Sequence, residues 1–138
     1  MSPLNAKILI VDDNESMREL VRELLHDLGV TSVDEAPNGR AALTLFQSNH
    51  YDLVLTDWHM PFVTGVELLR SIRHGEAGRK TPVLILSSDV SPERTREALN
   101  AGANEFVAKP FAPARLCEKV LRFIAPLAQM PDSLIAAH

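Results

Sequence analysis

Five polar residues each stand at or just after the end of a short apolar run of the sequence. In chain order they are Asp12, Asp13, Asp57, Ser87 and Lys109. Short apolar runs that end in a turn signal are typical of buried parallel strands. Ligands of an open α/β sheet bind beyond the carboxyl ends of its strands. These five residues are therefore expected to share one crevice, where carboxylate, hydroxyl and ammonium groups could handle a phosphoryl group.

The three carboxylates of this crevice would repel one another, because a pair 4 Å apart costs about 4 kcal/mol at an effective dielectric constant of 20. Either one acid takes up a proton, or a hard divalent cation neutralises the site. Oxygen ligands without clustered histidine or cysteine favour Mg²⁺. Lys109 supplies a second positive charge for phosphate oxygen atoms, and Ser87 supplies a hydroxyl. Asp57 is then the nucleophile that takes a phosphoryl group as an acyl phosphate.

The hydrophobic pattern predicts the elements that position these residues. Strands are predicted over residues Lys7–Val11, Ser32–Ala36, Leu53–Thr56, Pro82–Leu86 and Asn104–Ala108. Apolar residues at helical spacing follow each strand and predict five helices. This alternation calls for a parallel sheet with helices on both faces and right-handed crossovers. Of the two common strand orders, the smaller, 2-1-3-4-5, places the three acids at the point where the order reverses.

The helix boundaries have their own signals in the sequence. Asn14 or Ser16 is expected to cap the first helix, and Gly29 to end it. The third helix is predicted over Gly65–Arg73. Ser91 starts the fourth with a cap followed by proline and an acid. That helix is expected to turn Ala98 and Leu99 inward, and the last one to open at Ala112 or Pro113.

Length and composition limit the kind of protein this can be. The chain has 138 residues, which predicts one domain with a substantial core. Its formal net charge of −4 is too mild for a nucleic-acid surface. We find neither a membrane-spanning apolar run nor a signal peptide. Cys117 is the single cysteine, which excludes an internal disulfide and fits a reducing compartment. The cytoplasm is the expected location.

Taken together, the motifs resemble the receiver domain of bacterial response regulators. The resemblance rests on the run that ends in Asp12-Asp13, on Asp57-x-x-Met-Pro-x-x-x-Gly65, on Ser87 and on Phe106-x-x-Lys109-Pro. The segment around Asp57 is most similar to chemotaxis regulators of the CheY type. We therefore predict a flavodoxin-like (βα)5 domain over residues 5–127 and a C-terminal tail over 128–138. The family is itself an example of the 2-1-3-4-5 order.

The resemblance also implies roles for individual residues. Asp57 is the phosphoacceptor for a phosphohistidine on a sensor histidine kinase or a histidine phosphotransfer domain. Mg²⁺ is held by Asp13, Asp57 and the backbone carbonyl of His59, while Asp12 acts through water. Lys109 binds the phosphoryl group, and the Lys109-Pro110 peptide bond is cis.

The family's output mechanism is implied in the same way. On phosphorylation Ser87 swings toward the phosphate and Phe106 turns inward, which switches the face made by helix 4, strand 5 and helix 5. The downstream target is a protein, in chemotaxis the flagellar motor switch, and the receiver is not an enzyme beyond its own phosphorylation and dephosphorylation.

Three positions depart from the commoner family pattern. Ser87 stands where threonine is frequent, and Phe106 stands where chemotaxis regulators usually have tyrosine. His59 overhangs the phosphoacceptor, and together with Asp89 it could either orient or hinder attacking water.

Other functions remain open at the level of sequence. The chain could be a phosphate relay or sink between histidine domains, or a receiver that forms part of a longer regulator. A phosphatase with an aspartyl nucleophile would need a substrate-enclosing cap, for which the chain has no spare residues. Taken singly, Asp12 and Asp13 could be helix caps, Lys109 a solvated lysine and Phe106 a core aromatic.

Overall fold

The computed structural model describes residues 4–128, in which five strands alternate with five helices. The strands are β1 (Leu4–Val11), β2 (Val30–Ala36), β3 (Leu53–Asp57), β4 (Val83–Ser87) and β5 (Glu105–Ala108). The helices are α1 (Glu15–Asp27), α2 (Gly39–Ser48), α3 (Gly65–His74), α4 (Pro92–Asn100) and α5 (Pro113–Ala128). The predicted alternation is confirmed. None of the helices within this range has the length and apolarity to cross a membrane.

The five strands form one parallel sheet of order β2-β1-β3-β4-β5, which confirms the flavodoxin-like prediction. Val11 pairs with Thr56, and Asp57 pairs with Leu86. The carboxyl ends of β1, β3 and β4 are therefore level with one another. The strand order reverses between β1 and β3, which opens a crevice at that edge.

Alternate residues of the central strands supply two hydrophobic cores, one on each face of the sheet. Ile8 of β1 packs in a cluster with Val21 of α1 and Ile124 of α5. Its neighbour Leu9 belongs to the other cluster, with Leu69 of α3. Each fully buried aliphatic side chain contributes about 1.5–3 kcal/mol. The sheet is thus packed on both faces, and this packing holds the residues at its carboxyl edge in place.

Side-chain caps begin the helices that follow the functional edge. The Asn14 side chain accepts a hydrogen bond from the Met17 N–H at 3.0 Å, so Asn14 rather than Ser16 caps α1. Ser91 caps α4 by accepting from the Arg94 N–H at 3.3 Å. Both caps satisfy backbone donors that would otherwise have no partner in the first turn.

Several element boundaries differ from the sequence prediction by one to three residues. β1 begins at Leu4 rather than Lys7, because Leu4 pairs with Val30, and this pairing also lengthens β2. β4 spans Val83–Ser87, one residue later than predicted, and β3 runs one residue further. β5 begins one residue later, and α3 ends at His74 rather than Arg73. Ladder hydrogen bonds, rather than hydropathy, set the limits of the strands.

The prediction that α4 turns both Ala98 and Leu99 inward is wrong for Leu99. Ala98 is completely buried, whereas Leu99 is 51% exposed. Consecutive residues of a helix point about 100° apart, since a turn takes 3.6 residues. The narrow buried stripe of this nine-residue helix therefore admits Ala98 only.

The last helix begins at Pro113 rather than Ala112 and continues to Ala128, one residue past the predicted domain limit. Its inward stripe is buried at Leu116, Val120 and Ile124. The predicted tail falls, beyond Ala128, outside the described residues. The domain boundary at 127 therefore stays a prediction.

Candidate functional site

The fold brings the five polar residues of the sequence motif to the carboxyl edge of the sheet. Asp57 is the last residue of β3 and Ser87 the last of β4, while the other three directly follow β1 and β5. One carboxylate oxygen from each of Asp12, Asp13 and Asp57 lies within 4.8 Å of the other two. Asp12 is buried, Asp57 is partly buried and Asp13 is exposed. The acids thus form a cluster with one open side.

Lys109 reaches into this acid cluster from the far side of β4. Its Nζ lies 2.8 Å from Asp12 Oδ2 and 3.5 Å from Asp57 Oδ2. The backbone of Lys109 is tied to β4, because its N–H donates to the Ser87 carbonyl at 2.8 Å, and the Lys109-Pro110 bond is cis, as the resemblance implies. The lysine therefore offsets part of the repulsion between the acids. The sequence predicts only protonation or a divalent cation for this purpose.

The two oxygens of the Asp57 carboxylate have different surroundings. Oδ1 accepts hydrogen bonds from the Trp58 N–H at 2.7 Å and the His59 N–H at 3.4 Å. Oδ2 faces Lys109. Burial raises the pKa of Asp57; Lys109 and the two backbone amides oppose this shift, and the charge of Asp12 adds to it. One oxygen is thus held in place, and the other lies at the cationic side of the crevice.

Asp12 already uses both of its carboxylate oxygens within the protein. Oδ1 accepts from the Asn14 N–H at 2.9 Å, and Oδ2 accepts from Lys109 Nζ at 2.8 Å. Asp13, by contrast, is exposed to solvent. All the side-chain ligands on offer are carboxylate oxygens, which suit a hard divalent cation. The donor set of this crevice therefore fits a metal site.

Ser87 is completely buried at the end of β4, whereas Ser88 is exposed. The Ser87 Oγ accepts a hydrogen bond from the Asp89 N–H at 3.1 Å. Because Asp57 pairs with Leu86, Ser87 lies one position beyond Asp57 on the neighbouring strand. The strand register thus favours Ser87 over Ser88 as the hydroxyl next to the acid cluster.

Comparison with known proteins agrees with this geometry. Residues 8–121 match the model of the response regulator receiver domain. The chain is 43% identical over 114 residues to the chemotaxis protein CheY of Pseudomonas aeruginosa, covering 83% of this chain and 92% of the relative. The chain belongs to the response regulator receiver family.

Solved structures place the receiver in the same group. The chemotaxis response regulator CheY4 of Vibrio cholerae superposes with a TM-score of 0.81 at 36% identity, covering 86% of this chain and 98% of that one. The receiver domain of a Pseudomonas aeruginosa sensor histidine kinase, which holds a magnesium ion in its active-site cleft, gives 0.80 at 31%, covering 87% and 98%. The chain is therefore a phospho-accepting receiver that takes its phosphoryl group from a histidine kinase and signals to a partner protein.

Two aromatic residues near the site lie on the α3/α4 face of the receiver. Trp58 is only 2% exposed and belongs to the core. Phe106 pairs with Ile85 in the sheet and is partly buried against the same core. Phe106 thus has both a core contact and a solvent-exposed side.

Arg94 lies beside the site, which its place in the sequence does not predict. Its Nε lies 3.2 Å from Asp89 Oδ2. Its guanidinium also lies 6.0 Å from the centre of the Trp58 ring. Asp89 Oδ1 accepts from the Ser91 N–H at 3.1 Å, so both of its oxygens are engaged. Asp89 is thereby tied to the start of α4.

Proposed function

We propose that Asp57 is the phosphoacceptor of this receiver. The observation that carries the proposal is the asymmetry of its carboxylate, with Oδ1 fixed by two backbone amides and Oδ2 facing Lys109. Oδ2 attacks phosphorus, and the phosphohistidine nitrogen leaves with the electron pair of its bond to phosphorus. The product is an acyl phosphate, whose charge Lys109 and the amides are placed to bind.

We propose that the acid cluster holds Mg²⁺ through Asp13, Asp57 and the backbone carbonyl of His59. Asp12 acts through water, which agrees with the full engagement of its two oxygens by Asn14 and Lys109. Bound Mg²⁺ would neutralise the carboxylates and draw the phosphoryl oxygens toward them. The related receiver that holds magnesium in its cleft supports this choice of metal.

Phosphorylation is proposed to act on the face made by α4, β5 and α5. Ser87 is buried one residue beyond the position paired with Asp57, and Phe106 lies on the next strand with one side open. A contact between the phosphoryl group and Ser87 favours the state in which Phe106 turns inward. The switch is then a population shift, limited in size by how much better one state binds the phosphoryl group.

We propose a chemotactic role in the cytoplasm, with the flagellar motor switch as the downstream target. The CheY relative at 43% identity supports this assignment. The chain would promote its own phosphorylation and dephosphorylation and turn over no separate substrate. The direct test is binding to a flagellar switch protein with and without beryllofluoride. Tighter binding with beryllofluoride is expected, and equal binding would count against the assignment.

Removal of the metal is expected to slow phosphorylation by acetyl phosphate at least about 100-fold, because the crevice is net negative and repels an anionic donor. Intact-protein mass spectrometry in excess EDTA measures the loss. Added Mg²⁺ should restore the rate, whereas Ca²⁺ should restore it poorly, since that ion is larger and prefers more ligands. A rate indifferent to EDTA would refute the metal site.

The variant Lys109→Met is expected to bind Mg²⁺ about tenfold more tightly and yet to accept phosphate more slowly. In the wild type, the Lys109 ammonium group repels a cation bound at the same carboxylates. About 1–2 kcal/mol of that repulsion remains even at the dielectric constant of water. Fluorescence of Trp58, the single tryptophan, reports the titration. Lys119→Met is the matched control, because Lys119 also has a buried stem and pairs instead with Glu105 at 3.1 Å. Unchanged Mg²⁺ affinity would mean that Lys109 does not compete for the acids.

A further inference from the structure

The loop between β3 and α3 exposes an aromatic side chain in an unusual backbone conformation. Phe62 is 73% exposed, the most among the large apolar residues that the described range leaves open to solvent. Its φ is 70°, and it is the one non-glycine residue within that range with a positive φ. The Val63 N–H donates to the Pro61 carbonyl at 2.9 Å, which closes a γ-turn around Phe62.

Neither feature helps the receiver to fold. A non-glycine residue with positive φ costs stability, and a γ-turn with positive φ at its centre is rare and strained. Burial of the ring would offset that cost, but the ring is exposed. Strain of this kind is typical of positions kept for contact with something else.

Arg40, at the start of α2, flanks the exposed ring. Its guanidinium lies 5.5 Å from the centre of the Phe62 ring, a cation–π distance. Arg40 takes part in none of the ion pairs found between residues 4 and 128. An apolar ring beside an unpaired cation is complementary to an apolar side chain beside a carboxylate.

The chain holds Phe62 close to the phosphoacceptor. A Cβ at Gly65 would lie 2.5 Å from the Asp57 carbonyl oxygen, and the Gly65 N–H donates to the Trp58 carbonyl at 2.9 Å. Three residues of chain reach at most about 11 Å, so the Phe62 backbone lies within roughly 17 Å of Asp57. A standard interface covers about 800 Å² per partner, a disc of roughly 16 Å radius. These two lengths are comparable, so a protein that brings a histidine to Asp57 can extend to Phe62.

We propose that Phe62 and Arg40 form a docking anchor for the protein that donates the phosphoryl group. The partner surface is the one around the phosphohistidine, and it presents an apolar side chain next to a carboxylate. The short chain distance from this patch to Asp57 favours the donor over the downstream target, whose face is proposed on α4, β5 and α5. The inference rests on the proposed function, since a donor must approach Asp57.

The variant Phe62→Asn separates docking from chemistry, because asparagine is among the residues enriched at positive φ and the change replaces the aromatic ring with a small amide. Its thermal unfolding midpoint is expected to rise by about 4 °C, while phosphorylation by acetyl phosphate stays at the wild-type rate. The donor probe is chosen from autophosphorylated Pseudomonas aeruginosa histidine kinases. It is the one that phosphorylates the wild-type chain fastest. Transfer from that kinase is expected to fall about tenfold in kcat/KM, mainly through KM. Arg40→Glu should lower transfer as well, since it repels the partner carboxylate.

Leu99→Asn is the control, because it removes another exposed apolar side chain, 51% open to solvent, from α4 and should leave transfer unchanged. Wild-type transfer rates in Phe62→Asn would overturn the anchor, and so would an unfolding midpoint that does not rise. An equal loss with acetyl phosphate would overturn it too, by showing that the loop shapes the crevice. If the wild-type chain sediments as a dimer and Phe62→Asn as a monomer, the patch binds a second copy of the chain instead of the donor. Failure of the wild-type chain to be phosphorylated on Asp57 at all would instead refute the proposed function.

Discussion

Asp57→Asn is expected to lose phosphorylation by both acetyl phosphate and a histidine kinase, by more than about 1000-fold. An amide oxygen is a poor nucleophile, and the substitution also removes the negative charge of one ligand of the proposed metal site. Neither Asp12 nor Asp13 can replace it: Asp12 is buried with both oxygens engaged, and Asp13 is not the residue fixed by the Trp58 and His59 amides. Mass spectrometry of the intact chain and of its peptides measures the result.

The same variant is expected to be more stable than the wild type when no metal is present. The pKa of Asp57 is raised in the folded chain, mainly by burial, so the fold disfavours its charged form. Protonation therefore stabilises the wild type as the pH falls through the raised pKa. The stability advantage of Asp57→Asn should be largest near neutral pH and should shrink as the pH approaches the ordinary pKa of aspartate. Urea unfolding at several pH values measures this.

Asp27→Asn is the control for both measurements, since Asp27 is an exposed acid at the end of α1. It should be phosphorylated at the wild-type rate. Phosphorylation that persists in Asp57→Asn and maps to another residue would show that the acceptor is elsewhere. An advantage that grows as the pH falls would show that the charge of Asp57 stabilises the fold.

Arg73→Met is expected to lower the free energy of unfolding by about 3 kcal/mol and the thermal midpoint by about 10 °C. The guanidinium donates to the carbonyl oxygens of Gly102, Gly78 and Thr81 and to Asn104 Oδ1, at distances from 2.6 to 3.2 Å. These contacts tie the end of α3 to the loops before β4 and β5. Methionine fills similar volume but leaves partly buried carbonyl oxygens without this donor, which is the costly outcome.

Two further variants make the Arg73 test specific. Arg73→Lys should lose part of the stability, because an ammonium group cannot reproduce the planar fork of a guanidinium. Arg70→Met, on the same helix but exposed, should change the unfolding midpoint by less than about 2 °C. If Arg73→Met and Arg70→Met unfold alike, the network does not stabilise the fold.

Local patterns were sufficient to predict the layout of the fold. Residues Leu53–Thr56 are completely buried, and the run of apolar residues in this segment predicts that burial. Asp57 ends such a run and Lys109 follows the shorter, partly buried strand β5, so their place at the carboxyl edge follows from the strands. The strand order came from the short list of known sheet topologies and from the family resemblance.

Contacts made by long side chains were beyond the reach of the sequence. The sequence does not predict the partners of Arg73 and Arg94, because packing rather than spacing sets them. The partners of Arg73 lie up to 31 residues away along the chain. The double contact of Lys109 with Asp12 and Asp57 depends on a rotamer that spans β4. Leu99 was misjudged because hydropathy does not tell which residue of a short helix faces the sheet.

The most direct test of the account is a crystal structure of the chain with Mg²⁺ and beryllofluoride, which mimics a phosphoryl group. We expect beryllium to be bonded to a carboxylate oxygen of Asp57, with Mg²⁺ on Asp13, Asp57 and the His59 carbonyl. Lys109 should lie within hydrogen-bonding distance of a fluorine atom. An Asp57 without beryllofluoride, in crystals whose acid cluster holds Mg²⁺, would contradict the assignment of this carboxylate as the phosphoacceptor.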